Sequence, residues 1–175
     1  DNCDVTIECE NRTFKCHRLA LSMATDVFNA MFNGNFREGT AETVLREINA
    51  SSFEGVLEFI YTGDVSVNST NVYNLLKASE FLELPGIEEL CLEFLKEKLF
   101  TIEVENIWNI FKYASTTKKN TLTEIVNDYI VEHFVSFSKM NRFYEIPFEN
   151  VSLILKKYSS LLFRNVELLM GALVQ

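Results

Sequence analysis

The change of hydrophobic period that decides the fold lies in residues 14–32, which read FKCHRLALSMATDVFNAMF. Before His17 the apolar residues alternate, whereas after it they recur every three or four residues. Alternation is typical of a half-buried strand, and spacings of three and four are typical of an amphipathic helix. The stretch therefore predicts a strand that leads into one helix, which we expect to end near Asn33-Gly34.

The residues before this stretch complete a hairpin. Residues 4–9 alternate between apolar and polar side chains in the same way. Residues 10–12, Glu-Asn-Arg, have turn chemistry and join them to residues 13–16, so the two segments are predicted to form a β-hairpin. A further short strand is predicted over residues 44–48.

The rest of the chain carries helical patterns. Ser51 or Ser52 is expected to cap the first of these helices, and Thr70 or Asn71 the second. Strands and helices are mixed at first and only helices follow, which predicts an α+β module over 1–99 and an all-helical module over 100–175. The predicted helices cover 51–62, 71–82, 85–95, 103–114, 120–134, 149–157 and 165–174.

Composition and charge limit the class of protein. The 175 residues are 47% hydrophobic and carry a net charge of -9, which suits one large domain or two small ones. Residues 1–100 hold 17 acids and 8 bases, whereas residues 101–175 hold 8 of each, so two modules with different surfaces are expected. We predict no nucleic-acid partner, because binding to phosphates needs a basic surface. No apolar run reaches the roughly 18 residues of a membrane span, so no membrane partner is predicted either.

Catalytic and metal-binding patterns are missing from the sequence. The four cysteines form no metal-binding spacing with the two histidines, and we interpret them as small buried side chains of a protein in the cytoplasm or nucleus. Phosphate-binding glycine loops and common hydrolase motifs are also missing. The sequence therefore predicts neither an enzyme nor a cofactor or metal site, and His17 is interpreted as structural.

Several motifs, in order along the chain, resemble the BTB (POZ) domain. Cys16 stands where the family has a small residue between the strand and the helix. The resemblance implies an α+β BTB/POZ fold, a small sheet flanked by helices. The matching segments are 4–5 (DV), 14–18 (FKCHR), 28–32 (FNAMF), 59–63 (FIYTG), 71–76 (NVYNLL) and 91–95 (CLEFL).

The helical part of the chain resembles the BACK domain that follows BTB in kelch-like proteins. The resemblance implies an all-α BACK-type module after the BTB domain. We expect Ile107, Trp108 and Phe111 to pack onto the first module and to form a groove at the junction. Considered alone, Trp108 suits either a helix-packing core or an exposed partner anchor. The matching residues are Asn106, Ile110, Ala114, Leu122, Tyr129, Ile130 and Phe134.

BTB–BACK proteins commonly serve as substrate adaptors of cullin-3 RING ubiquitin ligases, and the resemblance implies that function here. They use an apolar-x-Glu motif after a helix, which Phe36-Arg37-Glu38 fits. We expect Phe36 and Glu38 to bind the N-terminal region of cullin-3. Tyr61, Met31 and Phe32 are expected beside them. The ubiquitylated substrate is unknown and would be bound by a region outside this chain.

The resemblance also implies a homodimer. Asp4 and Arg18 resemble the charged pair that lines the dimer groove of the family, or they form a structural ion pair near it. The helix and strand that usually precede the family's first motif are missing from this chain, so we expect a homodimer in the full-length protein and a weakened or monomeric state in this fragment. The alternative function is a dimerisation and corepressor-recruitment module of a transcription regulator, or another scaffold with no ligase role.

Overall fold

The computed structural model describes residues 2–33, 42–117, 119–139 and 148–173. The chain divides into two compact units, Asp1–Ile102 and Glu103–Gln175. The first unit contains a sheet and helices, and the described part of the second unit contains only helices. The predicted fold class, α+β followed by an all-helical module, is confirmed.

The sheet of the first unit has three strands, β1 (Val5–Cys9), β2 (Arg12–Cys16) and β3 (Glu42–Leu45), in the order β2-β1-β3. The central strand β1 is antiparallel to β2 and parallel to β3. Its side chains alternate between buried and half-buried, so the predicted hairpin and its apolar face are confirmed. The strand predicted over residues 44–48 lies earlier in the chain, as β3 (Glu42–Leu45).

Two helices follow the hairpin, α1 (Arg18–Ala24) and α2 (Asp26–Asn33), so the prediction of one helix is wrong. Thr25 has an extended backbone, with φ -150° and ψ 149°, and therefore interrupts the helix. Its hydroxyl oxygen accepts the backbone N–H of Phe28 at 3.1 Å, which caps the start of α2. Asp26 in the first turn adds a favourable charge near the N-terminus of the helix.

The next helix, α3 (Ala50–Thr62), begins two or three residues earlier than a cap at Ser51 or Ser52 would require. Its cap is Asn49, whose side-chain oxygen accepts the backbone N–H of Ser52 at 2.7 Å. It ends at Gly63, whose φ of 82° lies in the left-handed region that glycine adopts without strain. The predicted stop is confirmed, and the predicted cap is wrong.

Two further helices complete the first unit, α4 (Val72–Phe81) and α5 (Pro85–Lys98), followed by a short 3₁₀ turn over Leu99–Thr101. Pro85 occupies the first turn of α5, as predicted. The Phe53 ring lies 5.1 Å from that of Phe14 and 6.4 Å from that of Phe28, so β2, α2 and α3 share one core. Other fully buried members of this core are Ile7, Leu21, Leu75, Leu76, Leu82, Ile87 and Leu95.

The second unit contains α6 (Val104–Thr117), α7 (Asn120–Glu132), α8 (Phe134–Ser138) and α9 (Phe148–Leu173). The predicted helix over 120–134 divides at His133. The two helices predicted over 149–157 and 165–174 are instead the single helix α9. Ser160 sits between the predicted pair, and its hydroxyl donates to the carbonyl of Lys156 at 3.0 Å, so the polar residue is satisfied inside the helix.

Candidate protein-interaction site

The start of α1 is capped from a distance by Asp4. The side chain of this residue accepts the backbone N–H of Arg18 at 2.7 Å, and its own N–H donates to the carbonyl of Cys16 at 3.1 Å. A carboxylate at the first turn of a helix is favourable because the free N–H groups there carry partial positive charge. Asp4 therefore fixes the point at which β2 passes into α1.

The guanidinium of Arg18 points to the end of α2. It donates to the carbonyl of Phe32 at 3.3 Å, and its central carbon lies 5.2 Å from the centre of the Phe32 ring. Arg18 thus stabilises the last turn of α2, where carbonyls lack helical partners. The contact between Asp4 and Arg18 joins the carboxylate to the backbone N–H of Arg18, whereas the guanidinium is directed to Phe32 and does not form the ion pair that was considered. A role of the two residues in a dimer groove stays a prediction.

Tyr61 joins the last turn of α3 to the same point. Its hydroxyl oxygen accepts the backbone N–H of His17 at 3.0 Å and lies 3.0 Å from Nδ1 of the His17 ring. Partial burial raises the pKa of Tyr61 above its usual value, and the hydrogen bond from His17 offsets part of this rise. The side chain stays 48% exposed, so its ring remains accessible to a partner.

Three large apolar residues of α6 are buried. Ile107, Trp108 and Phe111 are at most 2% exposed, and the rings of Trp108 and Phe111 lie 5.6 Å apart. Of the two alternatives for Trp108, the structure favours packing core over exposed anchor. A groove formed by these residues stays a prediction.

Over 2–33, 42–117, 119–139 and 148–173, no three histidine, cysteine, aspartate or glutamate side chains are grouped so that they could hold a metal ion. Within the same ranges, no helix is both long and apolar enough to cross a membrane.

Comparison with known proteins assigns the first unit to a domain family. The sequence profile of the BTB/POZ domain matches residues 1–99, more than half of the chain. The chain belongs to the BTB/POZ family.

Full-length relatives of this BTB/POZ chain are kelch-like proteins. Kelch-like protein 22 of Rattus norvegicus is 32% identical over 149 residues, which cover 85% of this chain and 23% of that protein. Kelch-like protein 26 of Danio rerio is 30% identical over 154 residues, with coverages of 87% and 25%. Kelch-like protein 7 of Rattus norvegicus is 30% identical over 156 residues, with coverages of 89% and 26%. The chain thus spans about a quarter of the length of these relatives.

One solved structure is also similar to the chain, the BTB domain of zebrafish PATZ1. It has a TM-score of 0.48 and 25% sequence identity, and the match covers 55% of this chain and 77% of that one.

The predicted cullin-binding residues of the BTB/POZ unit differ in how exposed they are. Met31 is partly exposed, but Phe32 is only 8% exposed and its ring stacks on that of Phe28 at 5.9 Å. Phe32 therefore belongs to the core and has little surface to offer a partner. Phe36 and Glu38 lie outside the described residues.

The sequence analysis missed an exposed apolar face of the BTB/POZ unit on α1. Leu19 and Met23 are 71% and 79% exposed, and they lie one turn apart on the same side of the helix. The signal was present in the sequence, because α1 carries apolar residues on more than one face while only one face can pack against its own core. Such a second face indicates a surface for a partner.

Proposed function

We propose that this chain is the protein-interaction part of a substrate adaptor that dimerises and docks onto cullin-3 in a RING ubiquitin ligase. In this proposal the chain is not itself an enzyme. Membership of the BTB/POZ family and the kelch-like relatives support an interaction module. The proposed setting is the cytoplasm or nucleus, which agrees with four cysteines that form no disulfide.

The observation that carries the cullin-3 proposal is the convergence of two helix ends at the start of α1. His17 holds Tyr61 at the end of α3, and the next residue, Arg18, holds Phe32 at the end of α2. Phe36 follows Phe32 by four residues in the sequence. The motif that begins at Phe36 thus follows, along the sequence, the helix end that Arg18 contacts.

The chemistry of the motif suits a partner helix. An apolar aromatic side chain provides a buried anchor, worth about 1.5–3 kcal/mol when fully buried. The carboxylate of Glu38 would meet N–H donors or a basic side chain and fix the register of the partner. Tyr61 would add an aromatic ring and a hydroxyl at the edge of the same contact.

The homodimer is proposed to use the exposed face of α1. Leu19 and Met23 would pack against the same surface patch of a second copy, as a two-fold interface requires. Asp4 and Arg18 lie at the start of this helix, where they would border the contact. The substrate of the ligase would be bound by a part of the protein outside this chain.

Calorimetric titration of the chain with the N-terminal region of cullin-3 tests the proposal. We expect binding by the wild-type chain and a loss of about 2 kcal/mol, about thirty-fold in affinity, for Phe36→Ala. Glu38→Lys should weaken binding further by placing the wrong charge at the contact. Phe163→Ala is the control, since Phe163 is 72% exposed and lies in the second unit.

Two results would count against the cullin-3 proposal. The first is no heat of binding with the wild-type chain, and the second is equal affinity for wild type and Phe36→Ala. With either result, a chain that dimerises through α1 would fit the alternative function, a corepressor-recruiting or scaffolding module without a ligase role.

A further inference from the structure

A small polar cavity lies in the first unit, where the β1–β2 turn, the start of α3 and α4 meet. Its volume is about 200 Å³. At about 30 Å³ for each water of the liquid, this space holds about seven waters, the size of a small organic molecule. Charged and polar side chains line the cavity, among them Glu10, Arg46, Glu47, Ser52, Asn74 and Lys77.

The buried hydroxyl of Ser52 is available to a molecule in this cavity. Ser52 is only 3% exposed, and it belongs to the cavity wall. Its backbone N–H donates to Asn49, but its hydroxyl has no hydrogen-bond partner among the described residues. Polar groups this deeply buried are normally hydrogen-bonded, so an unpartnered one that lines a cavity indicates a ligand. Asn74 adds a half-buried amide to the same wall.

Charges of both signs in the cavity wall lack charged partners. Within the described part of the chain, no ion pair includes Arg46, Glu47 or Lys77. The ammonium of Lys77 lies 5.9 Å from the centre of the Tyr73 ring, at the outer limit of a cation–π contact. All three charged side chains are exposed and can therefore reach a ligand.

The acidic residues of the wall disfavour a simple anion. The carboxylate of Glu10 accepts the N–H of Ala50 at 3.0 Å, and Asn49 accepts that of Ser52 at 2.7 Å. Both acceptors thus already occupy the positive end of α3. A phosphate dianion would lie beside the carboxylates of Glu10 and Glu47, and like charges repel. A ligand with one negative and one positive group would be attracted by the whole wall.

We propose that this cavity binds a small zwitterion of the α-amino acid class. The carboxylate of the ligand pairs with Arg46 and Lys77 and accepts the hydroxyl of Ser52. The ammonium group of the ligand donates to Glu47. This site goes beyond the proposed function, because it uses none of the residues proposed to contact cullin-3 or a second copy.

An NMR titration of the ¹⁵N-labelled 175-residue chain with glutamine tests the site. Glutamine carries the two charges of the zwitterion and a neutral side chain. We expect it to shift the backbone amide signals of residues 46–52 and 74–77 with a dissociation constant of about 1 mM or less, as suits so small a ligand. Acetate and ethylammonium each carry one of the two charges. They should bind about tenfold more weakly at the same ionic strength.

Single substitutions show which side chains hold the zwitterion. Arg46→Gln and Glu47→Gln should each weaken glutamine binding about tenfold, because each removes a charge-assisted hydrogen bond. Ser52→Ala should weaken it about fivefold, since it removes only the hydroxyl. The matched controls are Lys15→Gln and Glu93→Gln, which change exposed charges on β2 and α5 and should leave the affinity unchanged.

Three results would overturn the amino acid site. The first is no shift in either segment at twenty times the expected dissociation constant. The second is binding of acetate or phosphate as tight as that of glutamine, which would mean a site for any anion. The third is wild-type affinity in both Arg46→Gln and Glu47→Gln while the spectrum shows a folded chain. None of these results depends on whether the chain binds cullin-3.

Discussion

The carboxylate of Glu10 lies 3.0 Å from the backbone nitrogen of Ala50 and accepts its hydrogen bond. Glu10 is in the turn between β1 and β2, where its φ of 53° is left-handed, and Ala50 is the first residue of α3. The turn residue therefore satisfies one of the free N–H groups of a helix 40 positions further along the chain. Together with Asn49 it gives α3 two side-chain acceptors at its start.

Replacing Glu10 with alanine should lower the free energy of unfolding by about 1 kcal/mol, because the N–H of Ala50 loses its acceptor. Urea unfolding measures the loss. Glu83→Ala is the matched control, since Glu83 has almost the same backbone angle, φ 54°, and an exposed side chain. Equal losses in the two variants would mean that the backbone conformation, and not the hydrogen bond to α3, sets the effect.

The exposed face of α1 makes the dimer testable. The double change Leu19→Glu and Met23→Glu should weaken self-association about a hundredfold or more, because two large apolar side chains worth about 1.5 kcal/mol or more each are replaced by charges. Light scattering over a concentration series gives the constant. Val135→Glu, at a residue 55% exposed in the second unit, should leave association unchanged. Equal association of the double variant and the wild-type chain would contradict the proposed interface.

Replacing the buried residue Asn127 with an apolar one should make the protein more stable. Asn127 is 1% exposed, and its side-chain oxygen has no hydrogen-bond partner within the described part of the chain. An unsatisfied buried acceptor costs about 1–3 kcal/mol, so Asn127→Leu should raise the free energy of unfolding by about 1 kcal/mol. Asn150→Leu should have the opposite sign, because the Asn150 amide donates to the hydroxyl of Ser115 at 3.0 Å. Thermal unfolding of both variants checks the prediction, and a loss of stability in each would refute it.

The buried thiol of Cys91 should make the protein less stable at alkaline pH. Desolvation raises its pKa from 9.0 to about 12, so the folded protein holds the proton more tightly than the unfolded chain does. The contribution of the Cys91 thiol to the free energy of unfolding is therefore complete below pH 9 and is lost as the pH rises from 9 toward 12. Urea unfolding between pH 8 and pH 10.5, in wild type and Cys91→Ala, checks this. The fall with pH should be less steep in the variant, and identical slopes would show that other groups cause it.

The sequence predicts most of the fold because the hairpin and the longer helices depend on local patterns. The apolar alternation of β1, Pro85 at the start of α5 and Gly63 at the end of α3 each carry their signal within a few residues. The break at Thr25 was missed because the apolar spacing continues across it, and only the hydroxyl contact with Phe28 distinguishes a cap from a helical threonine.

The candidate site is less predictable because its contacts join distant residues. Tyr61 and His17 are 44 residues apart, and the sequence around each residue gives no sign of its contact with the other. Phe32 matched a family motif, but motif position does not report burial, and its ring packs in the core. The exposure of Leu19 and Met23 likewise depends on which face of α1 its neighbours cover.

The parallel pairing of β1 with β3 has a consequence for how the chain assembles during synthesis. Thr6 pairs with Glu42 and Cys9 with Leu45, each 36 residues further along, whereas β1 meets β2 across a short turn. The hairpin can form as soon as it leaves the ribosome, but one edge of β1 has to wait for β3. Until then the nascent chain presents an open strand edge that can pair with other chains. We expect chaperones to be needed most in this interval, before residue 45 has emerged.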